Sequence, residues 1–161
     1  MSSFSRRFFL LALPALTAAC GFEPVYGTGG SAEKLRGSIL VDEPTTRDGF
    51  DLVAQLEQRL GRAQAPTYGM TVTLTVEENG LAISDTNDIE RYNVLGRADY
   101  VVRNLSTNED VHSGKVNTFT AYSSSVQPVA TLAAERDATS RLMIALADKI
   151  TSDLLINSGK F

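Results

Sequence analysis

The sequence predicts an α+β fold in which two helices pack on one face of a four-stranded mixed sheet, in the order β-α-β-β-β-α. Three observations lead to this prediction. Apolar residues recur at every second position over Tyr68–Val76, which is typical of a strand with one buried face. Two further strand-like segments follow directly. Helical spacing of apolar residues occurs once before and once after this run of strands, so we expect both helices on the same face of the sheet.

The first part of the domain is predicted to be a strand followed by a helix. Leu35–Val41 is the predicted strand. Asp48 is the expected N-cap of a helix over about Gly49–Leu60, and Gly61 lies where a glycine commonly ends a helix. The apolar face of this helix is expected to consist of Phe50, Val53, Leu56 and Leu60.

Three strands are then predicted in succession. In Tyr68–Val76 one face is apolar, and the other carries the hydroxyl-rich residues Thr71, Thr73 and Thr75. Asn79-Gly80 either forms a turn or lies at a bulge, beyond which Leu81 and Ile83 extend the strand. The other two strands are predicted over Tyr92–Arg103 and Val111–Tyr122, joined by a polar turn. The residues expected on the buried face of the former are Val94, Ala98, Tyr100 and Val102.

The last predicted element is a long helix over about Pro128–Ile156. An apolar stripe along it is expected to face the sheet, and small alanines within it permit a close approach. The expected alanines are Ala133, Ala138 and Ala147, and the stripe is Leu132, Leu142, Met143, Leu146, Ile150 and Leu154.

The N-terminal segment is typical of an export signal. Arg6-Arg7 precedes Phe8–Ala19, an apolar run of 12 residues. This is too short to span a bilayer of about 30 Å, but it suits the core of a signal peptide. Small residues then lead into Cys20, as in a lipobox. We predict cleavage before Cys20, attachment of diacylglycerol to its thiol and of an acyl chain such as palmitate to its newly exposed amino group, with no other cofactor. The alternative is an ordinary signal peptide that leaves a free thiol.

These features divide the chain into three parts: a signal peptide over 1–19, the lipidated cysteine and a tether over 20–33, and a single α/β sandwich domain over 34–158. Two or three acyl chains would hold the protein stably on a membrane. Gly21 follows Cys20, and the absence of Asp there favours the outer membrane, with the domain facing the periplasm. The signal around Arg6-Arg7 is compatible with either the general secretory or the twin-arginine route.

Charge and composition argue against several functions. Without residues 1–19 the chain has 13 basic and 19 acidic residues, a net charge of −6. An acidic chain is a poor partner for nucleic acid. His112 is the only histidine, Cys20 is the only cysteine, and no G-x-S-x-G motif is present. We therefore predict neither a metal site nor a catalytic site, and we expect His112 to be an exposed strand residue.

One group of cations supports a binding hypothesis. Arg91, Arg97 and Arg103 share the same parity along one strand, so they are expected on one face of the sheet, and Lys115 lies on the adjacent strand. Arginine binds phosphate with two parallel hydrogen bonds. The stripe could therefore contact the phosphates of an anionic lipid. The alternative is a solvated outer face on which these cations pair with neighbouring carboxylates.

The segment Cys20-Gly21-Phe22-Glu23-Pro24-Val25-Tyr26-Gly27 resembles the start of mature lipoproteins of the alphaproteobacterial LptE family, which often read C-G-F-x-P-L-Y-G. Weaker similarities follow at Arg91-Tyr92-Asn93, Ala98-Asp99-Tyr100, Tyr122, Glu135-Arg136-Asp137-Ala138 and Arg141. The resemblance implies an outer-membrane lipoprotein, not an enzyme. Such a protein plugs or stabilises the β-barrel of the lipopolysaccharide translocon, of the LptD type, and assists lipopolysaccharide assembly at the cell surface.

The apolar residues of this first segment are expected to pack on the domain, on a partner or at the headgroup layer, and Phe22, Pro24 and Tyr26 are the candidate partner contacts. The resemblance assigns no lipopolysaccharide-binding residues, so contact of the cationic stripe with lipopolysaccharide phosphates is a separate hypothesis from the residues themselves. Two other functions remain open. One is an auxiliary outer-membrane lipoprotein of a phospholipid ABC-transport system, which would bind inner-membrane partners. The other is a lipid-anchored hydrolase, which would require a nucleophile and a base to converge near His112.

Overall fold

The secondary structure follows the predicted order. The computed structural model describes residues 35–83 and 89–160, together with Gly30 and Glu33. Its elements are β1 (Ile39–Val41), α1 (Arg47–Leu60), β2 (Tyr68–Ile83), β3 (Ile89–Asn104), β4 (Asp110–Ser123) and α2 (Pro128–Asn157), with a 3₁₀ turn over Ser158–Lys160. The β-α-β-β-β-α order and the α+β class are therefore confirmed.

The four strands form one mixed sheet in the order β1-β2-β3-β4. β1 runs parallel to β2, and the three long strands are antiparallel to one another. This pattern follows from the connections. β1 and β2 are joined by a crossover that contains α1, the usual connection between parallel neighbours, whereas the later strands follow one another as antiparallel neighbours. The predicted mixed, four-stranded sheet is confirmed.

β2 continues beyond Asn79-Gly80 instead of turning there. Its pairing with β3 shifts register between Gly80 and Ala82, and again between Ala82 and Ile83. The bulge that was one of two predicted alternatives is therefore present. A bulge inserts an extra residue into one strand, and the pairing with the neighbouring strand continues beyond that residue.

Both helices lie on one face of the sheet, and the core is formed between these two layers. Gly96 on β3 allows α2 to approach, because a Cβ there would lie 2.9 Å from Leu146 Cδ1 and 3.0 Å from Leu142 Cδ2. The predicted inner residues of β3 are all buried. The buried apolar residues of the sheet and α2 include Met70, Val94, Ala98, Tyr100, Val102, Tyr122, Ala138, Leu142, Met143, Leu146, Ala147, Ile150 and Leu154.

The start of the domain differs from the prediction in two ways. β1 begins only at Ile39, because Leu35–Ser38 forms a turn in which Ser38 N and Oγ donate to the Leu35 carbonyl and Gly37 has a φ of 71°. The N-cap of α1 is Thr46, not Asp48. Thr46 Oγ1 accepts a 3.1 Å hydrogen bond from Gly49 N, and Asp48 lies in the first turn, where a negative charge is also favourable.

The core-facing side of α1 is rotated relative to the prediction. Its buried residues are Gly49, Leu52, Leu56 and Leu60, whereas Phe50 is 54% exposed. One helical position corresponds to a rotation of 100°, so Phe50 and Leu52 cannot both face the core centrally. The side that includes Leu52 is the one that packs towards α2. At this contact between the helices, Arg59 Nε lies 2.5 Å from Asp148 Oδ1.

α2 joins the core later than its apolar stripe predicted. Leu132 is 44% exposed and Ala133 is also exposed. The first fully buried position is Ala138, whose carbonyl accepts a hydrogen bond from Thr120 Oγ1 on β4 at 2.9 Å. The first turns of α2 therefore carry apolar residues that the sheet does not cover.

Candidate functional site on the open sheet face

The face of the sheet opposite the helices carries the predicted cations. We call it the open face, and its centre is formed by alternate residues of β2, β3 and β4. The described residues place no helix on it. Strand pairing puts Arg97 opposite Thr75 on one side and Asn117 on the other. Side chains alternate along each strand, so the same threonines that were predicted to share one face lie here. These residues are Thr71, Thr73, Thr75, Leu95, Arg97, Asp99, Ser113, Lys115, Asn117 and Phe119.

The three arginines of β3 lie on one face but do not converge. Arg91 is opposite Ser123, Arg97 is opposite Asn117, and Arg103 is opposite Asp110. At about 3.3 Å per residue, six residues of strand separate neighbouring arginines by roughly 20 Å. A single phosphate cannot bridge two of them. The stripe is therefore a row of separate cations rather than one pocket.

Two of the four predicted cations are held by carboxylates. Lys115 Nζ lies 2.8 Å from Asp99 Oδ1, and Arg103 Nε lies 3.1 Å from Asp110 Oδ1. Arg97 and Arg91 are exposed, and neither pairs with any described side chain. Part of the stripe thus matches the alternative of a solvated face with ion pairs. Arg97, at the centre of the face, is the cation best placed to accept an external anion.

Next to Arg97 the open face carries an apolar pair that the sequence reasoning missed. Leu95 and Phe119 are directly opposite each other on β3 and β4, and they are 38% and 65% exposed. Leu95 precedes Arg97 by two positions, so both side chains are on the same face. The two-residue spacing between Leu95 and Arg97 was the signal in the sequence that could have identified Leu95. The combination of an apolar pair with an arginine that has no described carboxylate partner suits a ligand or partner that is itself amphipathic.

His112 is not the exposed strand residue that was expected. Its side chain is 13% exposed and lies on the helix side of β4, where Nε2 is 2.9 Å from Asp153 Oδ2 on α2. The Tyr100 hydroxyl donates to the same oxygen. His112 is paired with Val102, whose side chain faces the helices, so the side chain of His112 faces them as well. The cluster joins α2 to the sheet.

The cluster does not have the properties of an activated nucleophile. Burial, followed by the hydrogen bond to Asp153 and its charge, raises the pKa of Tyr100 well above its usual range. The phenol is thus kept protonated, which is the opposite of the lowered pKa that activates a nucleophile. Its position is set by Gly114, since a Cβ there would lie 2.5 Å from Tyr100 Cζ. We interpret the cluster as structural.

Two further features concern metals and membranes. Within residues 35–83 and 89–160, no three His, Cys, Asp or Glu side chains come together as metal ligands would. Across the same ranges, neither helix combines the length and apolar character needed to cross a bilayer. The predicted lipidation site Cys20 and the predicted partner contacts Phe22, Pro24 and Tyr26 lie outside the described residues.

The fold recurs in bacterial lipoproteins. A Caulobacter crescentus CB15 protein described as a lipoprotein is 26% identical, with 84% of this chain and all of that chain aligned and a TM-score of 0.68. Two others share the fold. Rare lipoprotein B of Shewanella oneidensis is 14% identical, with 73% of this chain and 91% of that chain aligned and a TM-score of 0.56. A minor lipoprotein of Acinetobacter baumannii is 15% identical, with 74% of this chain and 90% of that chain aligned and a TM-score of 0.59.

No curated protein sequence matches the chain. The family model described as LptE, lipopolysaccharide-assembly, matches residues 37–154. This match extends from the turn before β1 almost to the end of α2, so it includes both helices, all four strands and the open face. It agrees with the resemblance found at the N-terminus, which lies outside the matched range. The chain belongs to the LptE family of lipopolysaccharide-assembly proteins.

Proposed function

We propose that this protein is an outer-membrane lipoprotein, anchored through Cys20, that plugs or stabilises the β-barrel of the lipopolysaccharide translocon and assists lipopolysaccharide assembly at the cell surface. The observation that carries the proposal is the LptE family match over 37–154. The family consists of non-enzymatic outer-membrane lipoproteins whose partners are an LptD-type barrel and lipopolysaccharide. The absence of a metal cluster in the described ranges is compatible with this role.

The open face suits a surface that sits within a polar barrel. Three threonines line its β2 side, two ion pairs lie across β3 and β4, and the apolar pair Leu95 and Phe119 provides a point of packing. A lipid anchor that shares the membrane with the barrel would also raise the effective concentration of one partner for the other. On this proposal Phe22, Pro24 and Tyr26 contact the partner next to the anchor.

Co-purification tests the barrel partnership. The tagged protein is isolated from outer membranes in mild detergent, and the accompanying proteins are identified and quantified against a Cys20→Ser control. We expect a large β-barrel protein in near-equal amount, and less of it with the control because the anchor is missing. Recovery of ABC-transport subunits without a barrel would instead support the phospholipid-transport function.

Lipopolysaccharide binding is proposed to depend on Arg97 more than on the other cations of the stripe. A charge-assisted hydrogen bond contributes about 1.5 to 3 kcal/mol, so Arg97→Ala is expected to weaken lipopolysaccharide binding by about tenfold or more. Arg103→Ala is the matched control, because Arg103 is already paired with Asp110. Titration of lipopolysaccharide against both variants measures the difference. If the wild type and both variants bind lipopolysaccharide with equal affinity, the cationic stripe does not contribute to binding.

A further inference from the structure

A second cationic feature lies at the end of the domain where β1 begins, away from the centre of the open face. Two turns meet there: Leu35–Ser38 before β1, and the loop that follows α1. Gly37 N donates a 2.7 Å hydrogen bond to the Leu60 carbonyl at the end of α1. Gly37 and Gly61 have φ values of 71° and 79°, which residues with a Cβ rarely adopt. The junction therefore depends on glycine on both sides.

The same two glycines bring a pair of arginines together. A Cβ on Gly61 would lie 3.2 Å from Arg36 Cγ, and one on Gly37 would lie 3.5 Å from the Arg62 carbonyl oxygen. Arg36 and Arg62 consequently line one shallow depression, with Ser38 and Gln64 beside them. We call this depression the arginine crevice.

Both guanidinium groups of the arginine crevice are available. Arg36 is exposed and makes no hydrogen bond or ion pair with any described residue. The Arg62 side chain is 85% exposed, and its one contact with a described side chain is that of Nε, 3.1 Å from Glu57 Oε2. Exposed ion pairs of this kind contribute at most about 1 kcal/mol. Arg36 is also not needed as a cap for α1, because Gly37 N already binds the Leu60 carbonyl.

The position of the crevice relative to Cys20 suggests its ligand. Leu35 is 15 residues from Cys20. A chain of that length reaches at most about 50 Å. An anchor on Cys20 would therefore keep the arginine crevice close to the headgroups of the membrane, where even weak contacts are favoured by a high local concentration.

We propose that Arg36 and Arg62 bind the phosphate of an anionic membrane lipid headgroup, and that this contact orients the domain on its anchor. Each guanidinium offers paired N–H donors that match phosphate oxygens. The acidic balance of the chain, net −6 without residues 1–19, opposes diffuse attraction to an anionic surface. Binding to such a surface must then come from a local site. The orienting role rests on the anchoring part of the proposed function, whereas the binding itself does not.

The test is sedimentation of residues 20–161 carrying Cys20→Ser with large vesicles, so that no acyl chain contributes. The vesicles contain either phosphatidylcholine alone or phosphatidylcholine with about 30% phosphatidylglycerol, so that only the second kind is anionic. A basic residue at an anionic surface adds about 1 kcal/mol, so Arg36→Gln and Arg62→Gln should each lower the partition coefficient about fivefold. Because both arginines are proposed to hold the same phosphate, the two losses should not simply multiply, and the double variant should lose less than about 25-fold. Arg47→Gln is the matched control, because it removes the same charge at the opposite end of α1.

Three outcomes would overturn the proposal: no preference of the wild type for phosphatidylglycerol, an equal loss with Arg47→Gln, or complete release by millimolar inorganic phosphate, which would identify free phosphate as the ligand. Circular dichroism of each variant shows whether it is folded. Failure here is distinguishable from failure of the proposed function, because recovery of a β-barrel with the Arg36→Gln, Arg62→Gln double variant is measured separately.

Discussion

Gly114→Ala is the substitution whose effect the structure defines most sharply. Gly114 lies on β4 opposite Tyr100, and the phenol ring passes over it to reach Asp153 on α2. An added Cβ would lie 2.5 Å from Tyr100 Cζ and 2.7 Å from Cε1. The φ of Gly114 is not positive, so the backbone itself tolerates alanine. The effect must therefore come from displacing the tyrosine.

Tyr100 has little freedom to move, because it is 1% exposed and is among the largest fully buried side chains. Overpacking of a core typically costs about 1 to 3 kcal/mol. Displacing the ring also breaks its hydrogen bond to the Asp153 carboxylate, which is worth about 1.5 to 3 kcal/mol. We expect Gly114→Ala to lower the free energy of unfolding by roughly 3 to 5 kcal/mol, a large part of the 5 to 15 kcal/mol of a typical domain.

The assay is urea unfolding followed by circular dichroism, on residues 20–161 carrying Cys20→Ser. Gly159→Ala is the control, since a Cβ on Gly159 meets nothing within 4 Å. It reports the effect of replacing glycine without a clash, which we expect to be within about 0.5 kcal/mol. A loss of less than about 1 kcal/mol with Gly114→Ala would refute the reasoning, because it would mean that the Tyr100 ring can move without losing its contacts.

Two further predictions concern the cap of α1 and the response to pH. Thr46→Ala should lower the free energy of unfolding by about 1 kcal/mol, because it removes the N-cap hydrogen bond. Asp48→Asn should lower it by only a few tenths of a kcal/mol. A larger loss with Asp48→Asn than with Thr46→Ala would indicate that Asp48 is the N-cap, as the sequence predicted. The pKa of Tyr100 is raised in the folded state, so its contribution to stability is complete below about pH 10 and is lost as the pH rises towards the folded-state pKa. The free energy of unfolding should thus fall above about pH 10, and Tyr100→Phe should reduce that fall; an identical pH profile for both proteins in urea would contradict this.

The two faces of the sheet differ in how the described residues cover them. The helix side of the sheet is closed by α1 and α2 and is stabilised by the core and by the contact of Tyr100 and His112 with Asp153. The open face has no such cover among the described residues. Any ligand or partner that the sheet contacts through its side chains is therefore expected on the open face, and substitutions there should change binding more than stability.

Strand faces could be predicted from the sequence because their period is local. Alternation alone separated Val94, Ala98, Tyr100 and Val102 from the arginines of the same strand, and all four are buried. The orientation of α1 could not be derived in the same way. Phe50 and Leu52 offered two overlapping apolar sides, and only the position of α2 determined that Leu52 is buried and Phe50 is not.

The same distinction holds for the candidate sites. The sequence by itself determined the order of elements and the shared face of Arg91, Arg97 and Arg103, since these depend on residues that are close along the chain. The export signal and the lipidation of Cys20 stay predictions from the same kind of local pattern. Only the tertiary structure decided that no described side chain pairs with Arg97 while Lys115 and Arg103 are held by carboxylates, and that Arg36 and Arg62 line one depression. It also placed His112 against Asp153, 41 residues away. Pairing between side chains depends on the register of strands and the packing of helices, which bring together residues that no local pattern relates.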